Sequence, residues 1–131
     1  MPIFAFIYLF RGQFDLERKI SQVGISSCYL SEITIAELLY GVENSDPNRR
    51  NKNRKNLDWL RTAFVGRTLL IGPSFHEYAR QKAALKRIGR PVGEFDLLIG
   101  SAAIVHDLTL VTRNTRDFEN LDRIKLENWI D

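Results

Sequence analysis

The chain contains one cysteine, two histidines and no glycine-rich phosphate loop. A single thiol excludes an internal disulfide and a zinc-binding cysteine cluster, and Cys28 reads as a small buried apolar residue in its strand. His76 and His106 are far apart, with no spacing that makes them a metal pair or a general acid and base, so both read as surface or capping residues. The missing phosphate loop speaks against an unrelated α/β domain that binds a small phosphorylated ligand. Long hydrophobic runs are also missing. The longest, Ile3-Phe4-Ala5-Phe6-Ile7-Tyr8-Leu9-Phe10, is too short to cross a bilayer and lacks the basic region and cleavage site of a signal peptide. No membrane association and a cytoplasmic location are therefore expected.

What remains is an ordinary soluble composition. With 131 residues, 44% hydrophobic and 27% charged, the chain has the size and balance of a single globular domain spanning 1–131. Its net charge of +3 suits a polyanionic partner without requiring one.

The run from Ile3 to Phe10 suits a buried helix or a strand equally. A short helix is expected through Leu16 and Ile20, then a strand over Ile25 to Leu30, with Ser31 capping the next helix. That helix, from Glu32 to about Ser45, is apolar on nearly every side and is expected to be buried. Glu37 lies in its middle, where a carboxylate is costly unless paired, hydrogen-bonded or bound to a metal. Asp46-Pro47 turns the chain into a second helix, from Asn48 to about Val65. Its basic first half reads as a solvated face or a phosphate or acidic-partner contact, and Leu57, Leu60, Phe64 and Trp59 form its apolar side.

A strand is expected over Thr68 to Ile71. Ser74 and Glu77 then have capping-box spacing for a helix reaching Ile88. The loop Gly89-Arg90-Pro91-Val92-Gly93 leads to a small-residue helix headed by Asp96, where the helix dipole favours an ionised carboxylate available to a cation. Asp96, Gly100 and Ala103 share a face that admits close approach of another backbone. A β-branched strand, Thr109 to Thr112, a short helix around Asn114 to Phe118 and an edge strand near Lys125 to Trp129 complete the chain.

Alternating helices and strands predict a three-layer α/β sandwich, Rossmann-like, with a central, mainly parallel sheet flanked by helices. Ligands in such sheets bind beyond the carboxyl ends of the strands. Asp96, Asn114 and Asp117 fall at that edge, and Glu37 is expected beside them. Clustered carboxylates raise one another's pKa unless a hard cation such as Mg²⁺ or Mn²⁺ is present.

Thr34-Ile35-Ala36-Glu37-Leu38 with Tyr40-Gly41, Asp96-Leu97-Leu98-Ile99, and Leu110-Val111-Thr112-Arg113-Asn114 with Asp117-Phe118 occur in an order that resembles a PIN-domain ribonuclease of the VapC toxin type. The resemblance extends to Leu126-Glu127-Asn128-Trp129. It implies a PIN-like fold and an endoribonuclease toxin that cleaves RNA with Mg²⁺ or Mn²⁺. It also implies a VapB-type antitoxin as partner and the homodimer usual for such toxins. Glu37, Asp96 and Asp117 match the acidic metal positions and Asn114 a polar position of the same catalytic site, with Thr112 and Arg113 as substrate contacts.

One departure stands out. The resemblance places an Asp-Thr-Asn type motif at the end of a first strand, and aligning Ile7 to Gly12 with the family's helix puts that aspartate at Pro2. No acid precedes Asp15. The implied first strand is therefore shortened or missing, unless Ile3 to Phe6 replace it. Three expectations follow: an impaired ribonuclease, a catalytically inactive module that still binds antitoxin, or an active enzyme that compensates for the lost acid.

Overall fold

The structure is a computed structural model and describes residues 3–4, 22, 24–112 and 114–128. The expected helix through Leu16 and Ile20 lies outside these residues, as do Asp15, Arg113 and Trp129. In chain order the elements are β1 (Ile3–Phe4), β2 (Cys28–Ser31), α1 (Glu32–Glu43), α2 (Pro47–Ala63), β3 (Thr68–Leu69), α3 (Phe75–Arg87), α4 (Glu94–Val105), β4 (Thr109–Val111) and β5 (Leu126–Glu127). The strands form a sheet in the order β3-β2-β1-β4-β5, and each pairing is parallel.

The ambiguity at the start of the chain resolves at Ile3–Phe4 as strand. Ile3 pairs with Cys28 on one side and with Thr109 on the other, so β1 is short and central. Without it, the backbone groups of β2 and β4 facing the middle of the sheet would have no partners.

Successive strand residues point to opposite faces, and this alternation builds the two outer layers. Cys28 and Leu30 of β2 and Val111 of β4 pack on one face with Ile35 of α1 and Leu60 and Phe64 of α2. Tyr29 and Leu110 point the other way, toward Ile99, Ala102 and Ala103 of α4 and toward Phe118. The three-layer α/β sandwich expected from the sequence is thus present. Cys28 is buried as a free thiol, as expected.

Ser31 ends β2 and caps α1, its side-chain oxygen accepting the Ile33 amide at 3.0 Å. The expectation that α1 is buried on nearly every side needs correction. Only Ile33, Thr34, Ile35 and Val42 are buried, while Leu39 and Tyr40 face outward, Tyr40 with 68% of its surface exposed. Trp59 of α2 is likewise 63% exposed and does not join the apolar side of that helix. Both helices use one narrow stripe, because they form a hairpin that meets the sheet on one side.

Two further readings change. The Ser74–Glu77 capping box does not form: a 3₁₀ turn over Gly72–Ser74 runs directly into α3, and the Ser74 side chain makes no capping bond. The expected strand through Ile71 ends at Leu69, and Ile71 instead caps that turn. Along α4, Gly100 admits side chains rather than a backbone. A methyl group there would lie 2.6 Å from Leu121 Cδ2 and 3.3 Å from Phe118 Cδ1.

Because Ser31 is buried and its cap satisfies one of the helix's free amides, Ser31→Ala is expected to cost about 1 kcal/mol and Ser31→Gly only a few tenths in urea unfolding. Equal losses for the two would contradict a capping role.

Candidate functional site

In a parallel sheet the connecting helices run antiparallel to the strands, so the head of α4 lies at the strands' carboxyl edge. There, in the first turn, are Glu94 and Asp96. Glu94 is engaged: Lys82 of α3 pairs with it at 2.7 Å and the Tyr78 hydroxyl donates to it. Among the described residues no cation pairs with Asp96. Burial raises its pKa above the ordinary range, and the charge of Asp117 raises it further.

Glu37 is linked to this acid from α1. Burial is the main cause that raises its pKa, and Asp96 is the second. Its Oε1 is buried without a hydrogen-bond partner. Glu37, Asp96 and Asp117 are therefore electrostatically connected, and no ion pair among the described residues neutralises any of them. The ionised Asp96 expected from the helix dipole is thus opposed by burial and by a like charge.

Asp117 closes a 3₁₀ turn over Thr115–Asp117, its amide donating to the Asn114 carbonyl at 3.0 Å. Asn114 is exposed, and its amide donates to Thr112 Oγ1 at 3.1 Å. Thr112 is buried. An open cleft of about 380 Å³ brings together Asp96, Asp117, Arg116, Asn120 and the loop from Gly89 to Gly93, Arg90 included. Gly89, at φ 68°, ends α3 and turns the chain into that loop.

The structure therefore brings Asp96 and Asp117 into one cleft, couples Glu37 to Asp96, and places Asn114 and Thr112 in the segment leading to Asp117. Arg113 lies outside the described residues. Arg90, Arg116 and Asn120 were not singled out from the sequence. Their one sequence signal was proximity, in the loop before Asp96 and beside Asp117.

Among the described residues no three acidic, histidine or cysteine side chains converge tightly enough to hold a metal ion. A two-carboxylate site still fits Mg²⁺, which keeps several waters and is commonly held by one or two carboxylates together with substrate phosphates. The orphaned Glu37 oxygen beside the half-buried Asp96 is a donor set of that kind.

The PIN domain profile matches residues 5–124. The chain belongs to the PIN domain family, and to its VapC type. Relatives include Ribonuclease VapC2 of Rickettsia felis, 35% identical over 76% of this chain and 72% of that protein. The tRNA(fMet)-specific endonuclease VapC of Shigella flexneri is 34% identical over 76% of this chain and 74% of its own length. Among solved structures, DNA-bound VapBC of Salmonella typhimurium aligns with a TM-score of 0.87 at 25% identity, covering 98% of this chain and 99% of that one. The PIN-like fold expected from the sequence is the fold observed.

Burial lifts the pKa of Glu37 above its unfolded value, so the folded PIN domain holds that proton more tightly. The resulting stability is complete below the unfolded pKa and is lost as pH rises through the folded one. Glu37→Gln permanently mimics the protonated acid. In EDTA it is expected to melt above the parent at pH 7, with the gap closing on acidification; a lower Tm for the variant at pH 7 would contradict the assignment.

Proposed function

We propose that residues 1–131 are one PIN-like domain acting as a Mg²⁺- or Mn²⁺-dependent endoribonuclease toxin of a toxin–antitoxin pair. The observation that carries this reading is the linked set Glu37, Asp96 and Asp117 at the carboxyl edge of the sheet, with one Glu37 oxygen buried and unpartnered. Glu37 and Asp96 would hold the cation, with Asp117 as the third acid. When bound, the cation would activate water and stabilise charge on the scissile phosphate.

The protein groups have separate tasks. Arg90 and Arg116, on the cleft wall, offset the repulsion between the acids and an RNA backbone. Asn114 orients a water or a ligand, and the Thr112–Arg113 segment lies on the substrate path. The proposed partner is a VapB-type antitoxin. Solved relatives support this, since the Rickettsia felis neighbour, with a TM-score of 0.77 and 28% identity over 88% of this chain and 85% of that one, is a VapBC2 complex on promoter DNA. A homodimer and a cytoplasmic setting accompany this reading.

Catalysis is proposed to be weakened. No acid occurs before Asp15 in this sequence. The aspartate that the family resemblance places after the first strand has no counterpart among residues 1–14 of this sequence, and a cation held by fewer carboxylates is held less firmly. The same observation favours a second reading, a catalytically inactive domain that binds antitoxin through the remaining acids.

Purified chain incubated with RNA and Mn²⁺ is expected to cleave slowly and only without EDTA. Replacing residues 1–4 by a strand ending in Asp-Thr-Asn is expected to accelerate cleavage. Asp96→Asn should remove about a hundredfold or more, since even partners outside the coordination sphere are worth up to that. EDTA-sensitive cleavage at equal rates by the parent and the extended chain would refute the weakening. Antitoxin capture without cleavage would favour the inactive reading.

A further inference from the structure

Asp117 and Asp96 repel each other, so something must hold the segment that carries Asp117 against α4. Two contacts do so. One is apolar: Phe118 and Leu121 pack over Gly100. The other is a polar clamp from α3, centred on Gln81, which is fully buried.

Gln81 Nε2 donates to the Asp122 carbonyl at 3.0 Å, and its Oε1 accepts the Asp122 amide at 3.0 Å. The same Nε2 donates to Glu77 Oε2 at 2.8 Å. A primary amide has two donors and an acceptor oxygen, and here every one of these functions is engaged. Around it, Glu77 pairs with Arg123 at 3.0 Å and with Arg80 at 2.5 Å, and Arg80 reaches Asp122 at 3.6 Å. Burial alone would raise the Glu77 pKa, but the hydrogen bonds from Arg80 and Gln81 and the charges of Arg80 and Arg123 hold it below the ordinary range. Arg123 itself sits at φ 67°, a backbone conformation that needs external support in a residue other than glycine.

We propose that Gln81 is a positioning residue: its amide clamp on the Asp122 backbone, backed by Glu77, holds the 115–123 segment so that Asp117 faces Asp96 across the cleft. The inference deepens the metal reading of that cleft. The hydrogen bonds of Gln81 go to Glu77 and Asp122, neither of which lines the cleft, so its influence is transmitted through the segment. The two anchors flank Asn120, and Arg116 and Asp117 lie just ahead of Phe118, so loosening either anchor frees all three cleft residues together.

The test compares the parent with Gln81→Leu, which keeps volume but removes the amide, and with Leu60→Ala, which lowers stability on the far face of the sheet. Hydrogen exchange is measured without metal or RNA, and Mn²⁺ affinity by calorimetry under conditions where all three chains are folded. Gln81→Leu is expected to accelerate exchange across 115–123 while α1 and β2 keep their protection, and to weaken Mn²⁺ binding by about tenfold, the scale of an outer-sphere partner. Leu60→Ala should do neither.

Unchanged exchange across 115–123 in Gln81→Leu would overturn the clamp, as would a matching effect in Leu60→Ala. Mn²⁺ affinity equal to the parent's, despite a loosened segment, would overturn the link to Asp117. A parent that binds no Mn²⁺ would refute the metal reading alone, and the exchange data would then decide the clamp by themselves.

Discussion

Mutual repulsion among carboxylates is the constraint around which this structure is arranged. Glu37, Asp96 and Asp117 come from three separate segments; burial of Glu37 and Asp96, and after it the charge of Asp96 on Glu37 and of Asp117 on Asp96, works against their ionised forms in the fold. Nothing in a stability argument calls for that arrangement. Neutralising either half-buried acid would favour the folded state, and a shell that stores strain at one location commonly marks a binding site.

The scaffold opposes the repulsion at each segment. Glu37 is fixed by a helix whose start is capped by Ser31 and whose buried stripe packs Ile35 against the sheet and α2 and Ile33 against the cluster that contains α4. Asp96 follows a loop set by Gly89 and a helix head pinned through Glu94 to Lys82 and Tyr78. Asp117 depends on the packing of Phe118 and Leu121 over Gly100 and on the Gln81–Asp122 contact. Glu94 is held by a cation, whereas Asp96 and Asp117, which line the cleft, pair with no cation among the described residues. Glu94 and Asp96, two residues apart in one turn, differ in that pairing and in burial, which raises the pKa of Asp96.

Much of this was legible in the sequence. The β2–Ser31–α1 junction, the order of strands and helices, and Asp96 at a helix head all follow from periodicity and capping chemistry. Glu37 was identifiable because a carboxylate amid Ile33, Tyr40 and Gly41 needs an explanation. Periodicity failed where a residue's environment depended on distant segments. Leu39, Tyr40 and Trp59 look like core residues by type, yet the hairpin of α1 and α2 turns them outward. Ser74 and Glu77 have capping-box spacing, but Glu77 is claimed by Gln81, Arg80 and Arg123, the last from 46 residues away. Gln81 carried no local signal, since its partner is backbone brought close only by the fold. The short β1 was half legible: the apolar run was plain, but its role as central strand depends on two neighbours that local sequence does not specify.

The proposed function turns on Glu37 and Asp96 together holding the cation, Asp96 from the cleft wall and Glu37 from α1. Anomalous diffraction from crystals soaked in Mn²⁺ tests it most directly. The account predicts a peak within coordinating distance of the Glu37 and Asp96 carboxylates, lost in Asp96→Asn crystals; a peak held by other residues, or one that survives in Asp96→Asn, would contradict it.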